Sequence, residues 1–363
     1  MSYGTVQAEK MTTESGYSLG AGNASSFKNR LINGEMRIDQ RNGGAAITIN
    51  TTASAQFAVD RTSSYGTSSA GVFTAQRSTT APVGFVNSLS STVTTASTPS
   101  STHEYGLRQT IEGFNIDDLG WGTANAKAVT LSFWVRSSVT GTFAGSVCND
   151  AYNRSYVFTY TINSANTWEY ETITIPGDTT GTWLTDNGAG IRLQLNLGAG
   201  SAKTGTAGVW SVGYLQSATG SINLISTSGA TFFTTGWQLE VGTVATSFDT
   251  LPYGAEFALC QRYYQTVNMS SSGLVVDAYV NANDTYANRM LPFPVVMRAA
   301  PTGSLVATIT YANRQGSETV APYDMTNSQA SVGIRANSLG RVYAQISSNN
   351  SLGNTYLFSA EYT

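Results

Sequence analysis

Along most of the chain, apolar and polar residues alternate with a period of two over short runs, the pattern of strands that bury one face. In AVTLSFWVRSS, Val129, Leu131, Phe133 and Val135 share one face, and Thr130, Ser132, Trp134 and Arg136 share the other. IRLQLNL sets Ile191, Leu193, Leu195 and Leu197 against Arg192, Gln194 and Asn196, and WQLEV sets Trp237, Leu239 and Val241 against Gln238 and Glu240. NRSYVFTYTI, WEYETITI and AGVWSVGYL predict further strands, divided by Gly, Asn, Asp and Ser clusters at the spacing of a β-sandwich. The stretch from Ser88 to Thr102 reads as a Ser/Thr loop. One segment breaks the period. In PYGAEFALCQRYYQ, Phe257, Cys260 and Tyr264 recur at i, i+3 and i+7 just after Pro252, which predicts a connector helix. Beyond it, SGLVVDAYVN, RMLPFPVVMR, SLVATITY, VGIRANS, RVYAQISS and TYLFSAEYT form a second β-rich block.

Composition agrees with strands and turns. Only 11% of the 363 residues are charged and 36 are Gly, against about 25% charged in an ordinary globular protein. Nineteen Tyr, 14 Phe and 6 Trp within a hydrophobic content of 41% supply enough burial for a folded chain. The length predicts two folded units plus a tail. Net charge is -3 with no Lys/Arg cluster, so no nucleic-acid partner is expected. No 18-residue apolar run occurs and the opening MSYGTVQAEKMTTESGYSLG lacks a signal-peptide core, so neither membrane insertion nor signal-peptide export is expected. Cys148 and Cys260 read as reduced, buried thiols.

The sequence is poor in catalytic groups. Its single histidine, His103, sits in a Ser/Thr-rich stretch, which removes His-based metal sites and leaves any Ser-His-Asp triad dependent on a loop residue. Carboxylate pairs for glycoside cleavage are available in Glu112 with Asp117 or Asp118, and in Glu169 with Glu171, which as i and i+2 neighbours on a strand stand ~7 Å apart. The preferred reading is a solvated strand face for the glutamates and a turn, or a cap on the loop before Trp121, for Asp117 and Asp118. No calcium loop, dinucleotide fingerprint or P-loop is present, and no cofactor is expected.

NRLINGEMRIDQRNGG, then APVGFVNSL, IEGFNIDDLGWGTANAKAVTLSFWVRSSVTGTF, WQLEVGTVATSFD and PYGAEFALCQRYYQ together resemble phage and prophage tail-fibre proteins, and LPFPVVMRAAPT resembles the block that follows the helix in them. TLSFWVRSS and QLEVGTVATSFD also resemble strands of jelly-roll carbohydrate-binding modules. The resemblance implies a homotrimer on a virion, at the tail or the capsid surface, assembled in the host cytoplasm. The expected fold is all-β: an attachment arm for other virion proteins over residues 1–28, a jelly-roll sandwich over 29–251, and a connector helix with a smaller β-rich domain over 252–363.

A sugar site needs a flat aromatic platform and a few polar groups for hydroxyls. If the three alternating strands share a sheet, Trp134, Arg136, Arg192, Gln194, Asn196, Gln238 and Glu240 form one polar face around an indole. The loop CNDAYNRSY offers a second candidate in Tyr152, Asn153 and Arg154. The expected function is a non-enzymatic fibre adhesin for host surface glycans, the alternative a structural or decoration fibre whose faces pack against other subunits.

Overall fold

The computed structural model describes residues 27–50 and 55–269; beyond these it describes 11–12, 18–19, 275–280, 286–305, 310–311, 320–325, 329–335, 340–347 and 354–359. Most of the arm expected over residues 1–28 lies outside them. Contacts divide the chain into one unit of residues 1–256 with 362–363 and another of residues 257–361.

The first unit is a sandwich of two antiparallel sheets. Its strands are β1 (Ile47–Ile49), β2 (Gln56–Val59), β3 (Thr62–Gly66), β4 (Val72–Ser78), β5 (Ser88–Thr95), β6 (Glu104–Glu112), β7 (Val129–Ser137), β8 (Gly141–Cys148), β9 (Arg154–Ile162), β10 (Glu169–Ile175), β11 (Ala189–Ala199), β12 (Trp210–Val212) and β13 (Thr231–Val241). Seven strands form one sheet in the order β12-β9-β8-β11-β6-β3-β2, and six form the other in the order β10-β7-β13-β5-β4-β1. The chain stays within one sheet only at β2 to β3, β4 to β5, β8 to β9 and β11 to β12, and passes between sheets at every other connection, so sequence neighbours are seldom sheet neighbours. This is a jelly-roll arrangement.

The alternating apolar sets meet in one core. Leu131, Phe133 and Val135 from β7, Leu193, Leu195 and Leu197 from β11, and Phe232, Trp237 and Leu239 from β13 pack in the same buried cluster. Each such side chain contributes roughly 1.5–3 kcal/mol of transfer free energy.

Two elements differ from expectation. Ser88–Thr95 is no loop: it is β5, an internal strand of the six-stranded sheet, with Leu89 and Val93 buried in the core. Its serines conceal the alternation, because Ser90 and Ser91 are themselves buried and hydroxyls carry no apolar signal. The helix, α1, spans Tyr253–Gln261 and includes Phe257 and buried Cys260. Tyr264 opens the next strand, β14 (Tyr264–Met269), so the seven-residue stripe exceeds the helix by one turn.

The NRLINGEMRIDQRN segment wraps the sandwich. Asn29 bridges β13, donating to Trp237 O (2.9 Å) and accepting from Leu239 N–H (3.0 Å). Buried Asn33 accepts from the N–H groups of Arg37 and Ile38 and donates to Ile38 O and Asp60 O, each at 2.9 Å. A Cβ on Gly34 would lie 2.2 Å from Trp237 O, so only glycine allows this approach.

The second unit is also β-rich. β14 pairs with Asn354–Ser359, which pairs with Thr302–Leu305; Val275–Val280 pairs with Gly340–Ser347; Gln329–Arg335 lies between Tyr286–Pro292 and Val320–Met325.

Candidate ligand-binding cleft

β10 pairs with β7 in the register Tyr170 opposite Trp134, Thr172 opposite Ser132 and Thr174 opposite Thr130. Residues opposite each other share a face, so all six lie on the outer side of the six-stranded sheet. The Trp134 and Tyr170 rings are 5.2 Å apart and tilted by 46°. On the other flank of Trp134, β13 carries a bulge between Thr235 and Gln238. Within it Gly236 has φ +66°, and a Cβ there would meet Phe85 Cζ at 2.8 Å and Trp134 Cδ1 at 3.0 Å. The bulge glycine thus lets Phe85 close against Trp134, and Phe85 in turn meets Phe248 edge-on at 5.1 Å.

These rings and the 243–250 loop enclose a cleft of about 730 Å³. Its lining combines Trp134, Tyr170, Phe85 and Phe248 with the side chains of Thr130, Ser132, Thr172 and Thr174, and contains no Asp, Glu, Lys, Arg or His. The volume falls within the usual range for small-molecule sites.

The loop wall is built from below. Gln238 and Glu240 are both fully buried. Glu240 accepts from Thr246 N–H (2.8 Å) and Oγ1 (2.7 Å), and Gln238 accepts from Asp249 N–H (2.7 Å). Lys28 holds the loop from outside, donating through Nζ to Ser247 O (2.8 Å) and to Thr246 Oγ1. Gln238 and Glu240, expected on a ligand-facing surface, instead position the wall. Arg136 turns away as well, donating to Asn166 O (2.9 Å) and lying over the Phe233 ring.

The three alternating strands do not share a sheet. β11 belongs to the seven-stranded sheet, so Arg192, Gln194 and Asn196 face outward on the opposite side of the sandwich. They are buried there, with exposures of 6%, 0% and 1%, and the segment after β12 covers them, with the Tyr214 hydroxyl 3.3 Å from Gln194 Oε1 and Gln216 sharing the Tyr65 hydroxyl with Gln194. Tyr152 sits beside Arg192, whose guanidinium is 4.7 Å from its ring centre. Asn153 bonds to Asn149, and Arg154 grips Asp178 through two hydrogen bonds of 2.8 and 2.6 Å. Of the expected residues, only Trp134 lines the cleft. Tyr170, Phe85 and Phe248 were missed; for Tyr170 the signal was the alternation of WEYETITI, which sets Tyr170 opposite in face to Glu169 and Glu171.

Those glutamates face away from the cleft. Partial burial works against ionisation of Glu169, but hydrogen bonds from Ser164 and Asn163 outweigh it and hold the carboxyl below its ordinary value. Burial, reinforced by the Glu169 charge, pushes Glu171 up to about 7. Asp118 pairs with Arg30 at 2.8 Å, and His103 accepts a 3.4 Å hydrogen bond from Ser100 N–H in its loop. Among the described residues, no group of three or more His, Cys, Asp or Glu is placed to hold a metal, and no helix is long and apolar enough to cross a membrane.

No protein-family profile matches the sequence, and no curated protein matches it. Among solved structures, it is similar to the enzymatically active domain of bacteriophage CBA120 tailspike protein 4, at 14% identity and a TM-score of 0.31, covering 60% of this chain and 22% of that one. It is similar to a family 11 carbohydrate-binding module from Clostridium thermocellum in complex with a mixed-linked tetrasaccharide, at 9% identity and TM-score 0.27, covering 55% of this chain and 97% of that one. It is also similar to TmCBM61 in complex with β-1,4-galactotriose, at 10% identity and TM-score 0.28, covering 59% and 99%.

Proposed function

We propose that this chain is a non-enzymatic, sugar-binding fibre protein of a bacteriophage virion that holds neutral host-surface glycans in the Trp134 cleft. One observation carries the reading: an open cleft walled by four aromatic rings and a row of hydroxyl-bearing side chains, with no charged residue among its lining. Rings stack on the apolar faces of sugars, and threonine and serine hydroxyls exchange hydrogen bonds with sugar hydroxyls. The same lining offers no general acid or base for glycoside cleavage. The virion setting and the homotrimer rest on the ordered resemblance to tail fibres, and three copies would strengthen weak single sites by avidity.

The test is binding of the purified chain to host envelope fragments and to a glycan array. Trp134→Ala and Tyr170→Ala are each expected to lose binding while retaining the parent's oligomeric state and melting curve. Unchanged binding in both variants refutes the cleft, and release of reducing ends from host polysaccharide refutes the non-enzymatic reading.

One observation favours the second reading, a packing role. Val83 is 100% exposed and Val244 47%, and both line the cleft, so its rim is apolar in the manner of a protein contact. Under that reading Val83→Asp dissociates the oligomer; under ours it leaves the oligomer intact.

A further inference from the structure

The outer face of the seven-stranded sheet gathers three of the chain's 19 Lys and Arg residues around tyrosine rings. Arg108 lies 4.4 Å from the Tyr65 ring centre, Arg192 lies 4.7 Å from that of Tyr152, and Lys203 lies 4.3 Å from that of Tyr214. Tyr152 and Tyr214 meet edge-on at 4.5 Å and are only partly buried. Arg108 reaches toward Tyr152 as well, at 6.0 Å, so two guanidinium groups converge beneath one ring.

Charge on this face is not balanced by the chain. Two carboxylates stand near the three cations: Glu104, 3.6 Å from Lys203, and Asp150, 2.6 Å from Arg192. Burial raises the Glu104 carboxyl above its ordinary value, and it pushes the Cys148 thiol up to about 11, so that thiol is neutral and supplies no counter-charge. The Nε atoms of Arg108 and Arg192 are both buried without a hydrogen-bond partner, although a buried guanidinium donor ordinarily has one. Asp150 is itself 42% exposed at the rim. Its carboxylate already occupies Arg192 in the way an external carboxylate would.

We propose that this face is a second saccharide site, selective for acidic sugars, in which Arg108 and Arg192 receive the oxyanion and Tyr152 and Tyr214 pack against the ring. Asp150 is the internal occupant that an acidic ligand displaces. The site rests on the reading of the chain as a glycan binder, yet it lies on the other sheet from the Trp134 cleft and shares no residue with it.

The experiment is calorimetric titration of the full chain with an oligogalacturonate, a neutral oligogalactose and a sugar phosphate. Wild type is expected to bind at least one of the two acids and to lose affinity as salt rises, because the contact is ionic; which acid it binds tells carboxylate from phosphate. Arg192→Gln is expected to weaken acid binding about tenfold, the effect of losing a charge-assisted hydrogen bond. Asp150→Ala, a change at an exposed rim position, is expected to tighten it several-fold, and Trp134→Ala to leave it unchanged while removing neutral-glycan binding. No acid binding by wild type and by Asp150→Ala overturns the proposal, as does acid binding indifferent to Arg192→Gln. Should Arg192→Gln not fold, Lys203→Ala, at a partly exposed position, is expected to weaken the acid about threefold through lost charge. No effect of that change overturns it equally.

Discussion

Single residues decide the shape of the cleft and one of its neighbours decides a pH response. Gly236 holds a left-handed conformation that a Cβ disfavours, and Phe85 and Trp134 fill the space a Cβ would take. Gly236→Ala is expected to destabilise the fold by about 1–3 kcal/mol and to weaken neutral-glycan binding, read by denaturant unfolding and titration. Glu171 makes the opposite kind of point. Its folded value, about 7, lies above its ordinary 4.5, so the fold favours the protonated form. Its contribution is complete below the ordinary value and is lost as pH rises through about 7. Glu171→Gln is therefore expected to raise the melting temperature at mildly alkaline pH and to flatten its dependence across this window. Neither residue announced itself. Gly236 reads as one more turn glycine until the bulge is seen, and Glu171 reads as a solvated carboxylate until β10 is placed beside Phe133 and the buried hydroxyl of Tyr160.

Among elements, the 243–250 loop and the Asn29–Asn42 wrap do the positioning. Glu240→Gln replaces the carboxyl group whose two oxygens accept hydrogen bonds from Thr246, and it is expected to weaken cleft binding several-fold and open the loop to limited proteolysis, with the melting curve shifted only slightly. Asn33→Ala leaves two buried carbonyls and the N–H groups of Arg37 and Ile38 without their side-chain partner, which is expected to lower stability by about 3 kcal/mol, measured by chemical unfolding. Elements were the most legible level. The runs around Leu131, Leu193 and Leu239 are strands with the expected core faces, because burial imposes a period of two that survives any topology. Which strands adjoin was not legible. The crossings between sheets separate β11 from β7 and β13, so Arg192 and Trp134 lie on opposite sides of the sandwich. β5 escaped because buried serine mimics a loop in composition.

For the whole molecule, the sandwich offers two outward faces of opposite character, one neutral and aromatic, one cationic and tyrosine-lined. Under the proposed function, a fibre with both would engage mixed polysaccharides through distinct contacts, and immunogold labelling of virions is expected to find the chain at the tail; labelling confined to heads would assign it to the capsid surface. The end of the six-stranded sheet has a bearing on how the protein behaves when concentrated. β10 is the outermost strand there, and an outermost strand presents unpaired amides to any other copy; charge along it discourages that addition. Glu169 keeps its charge, but Glu171 surrenders its own near neutrality. Through Glu171, mild acid is therefore expected to make each copy harder to unfold and, at the same time, easier to zip to its neighbour. Light scattering of concentrated protein should rise below about pH 6, where most of that carboxyl is protonated, and Glu171→Lys should suppress it.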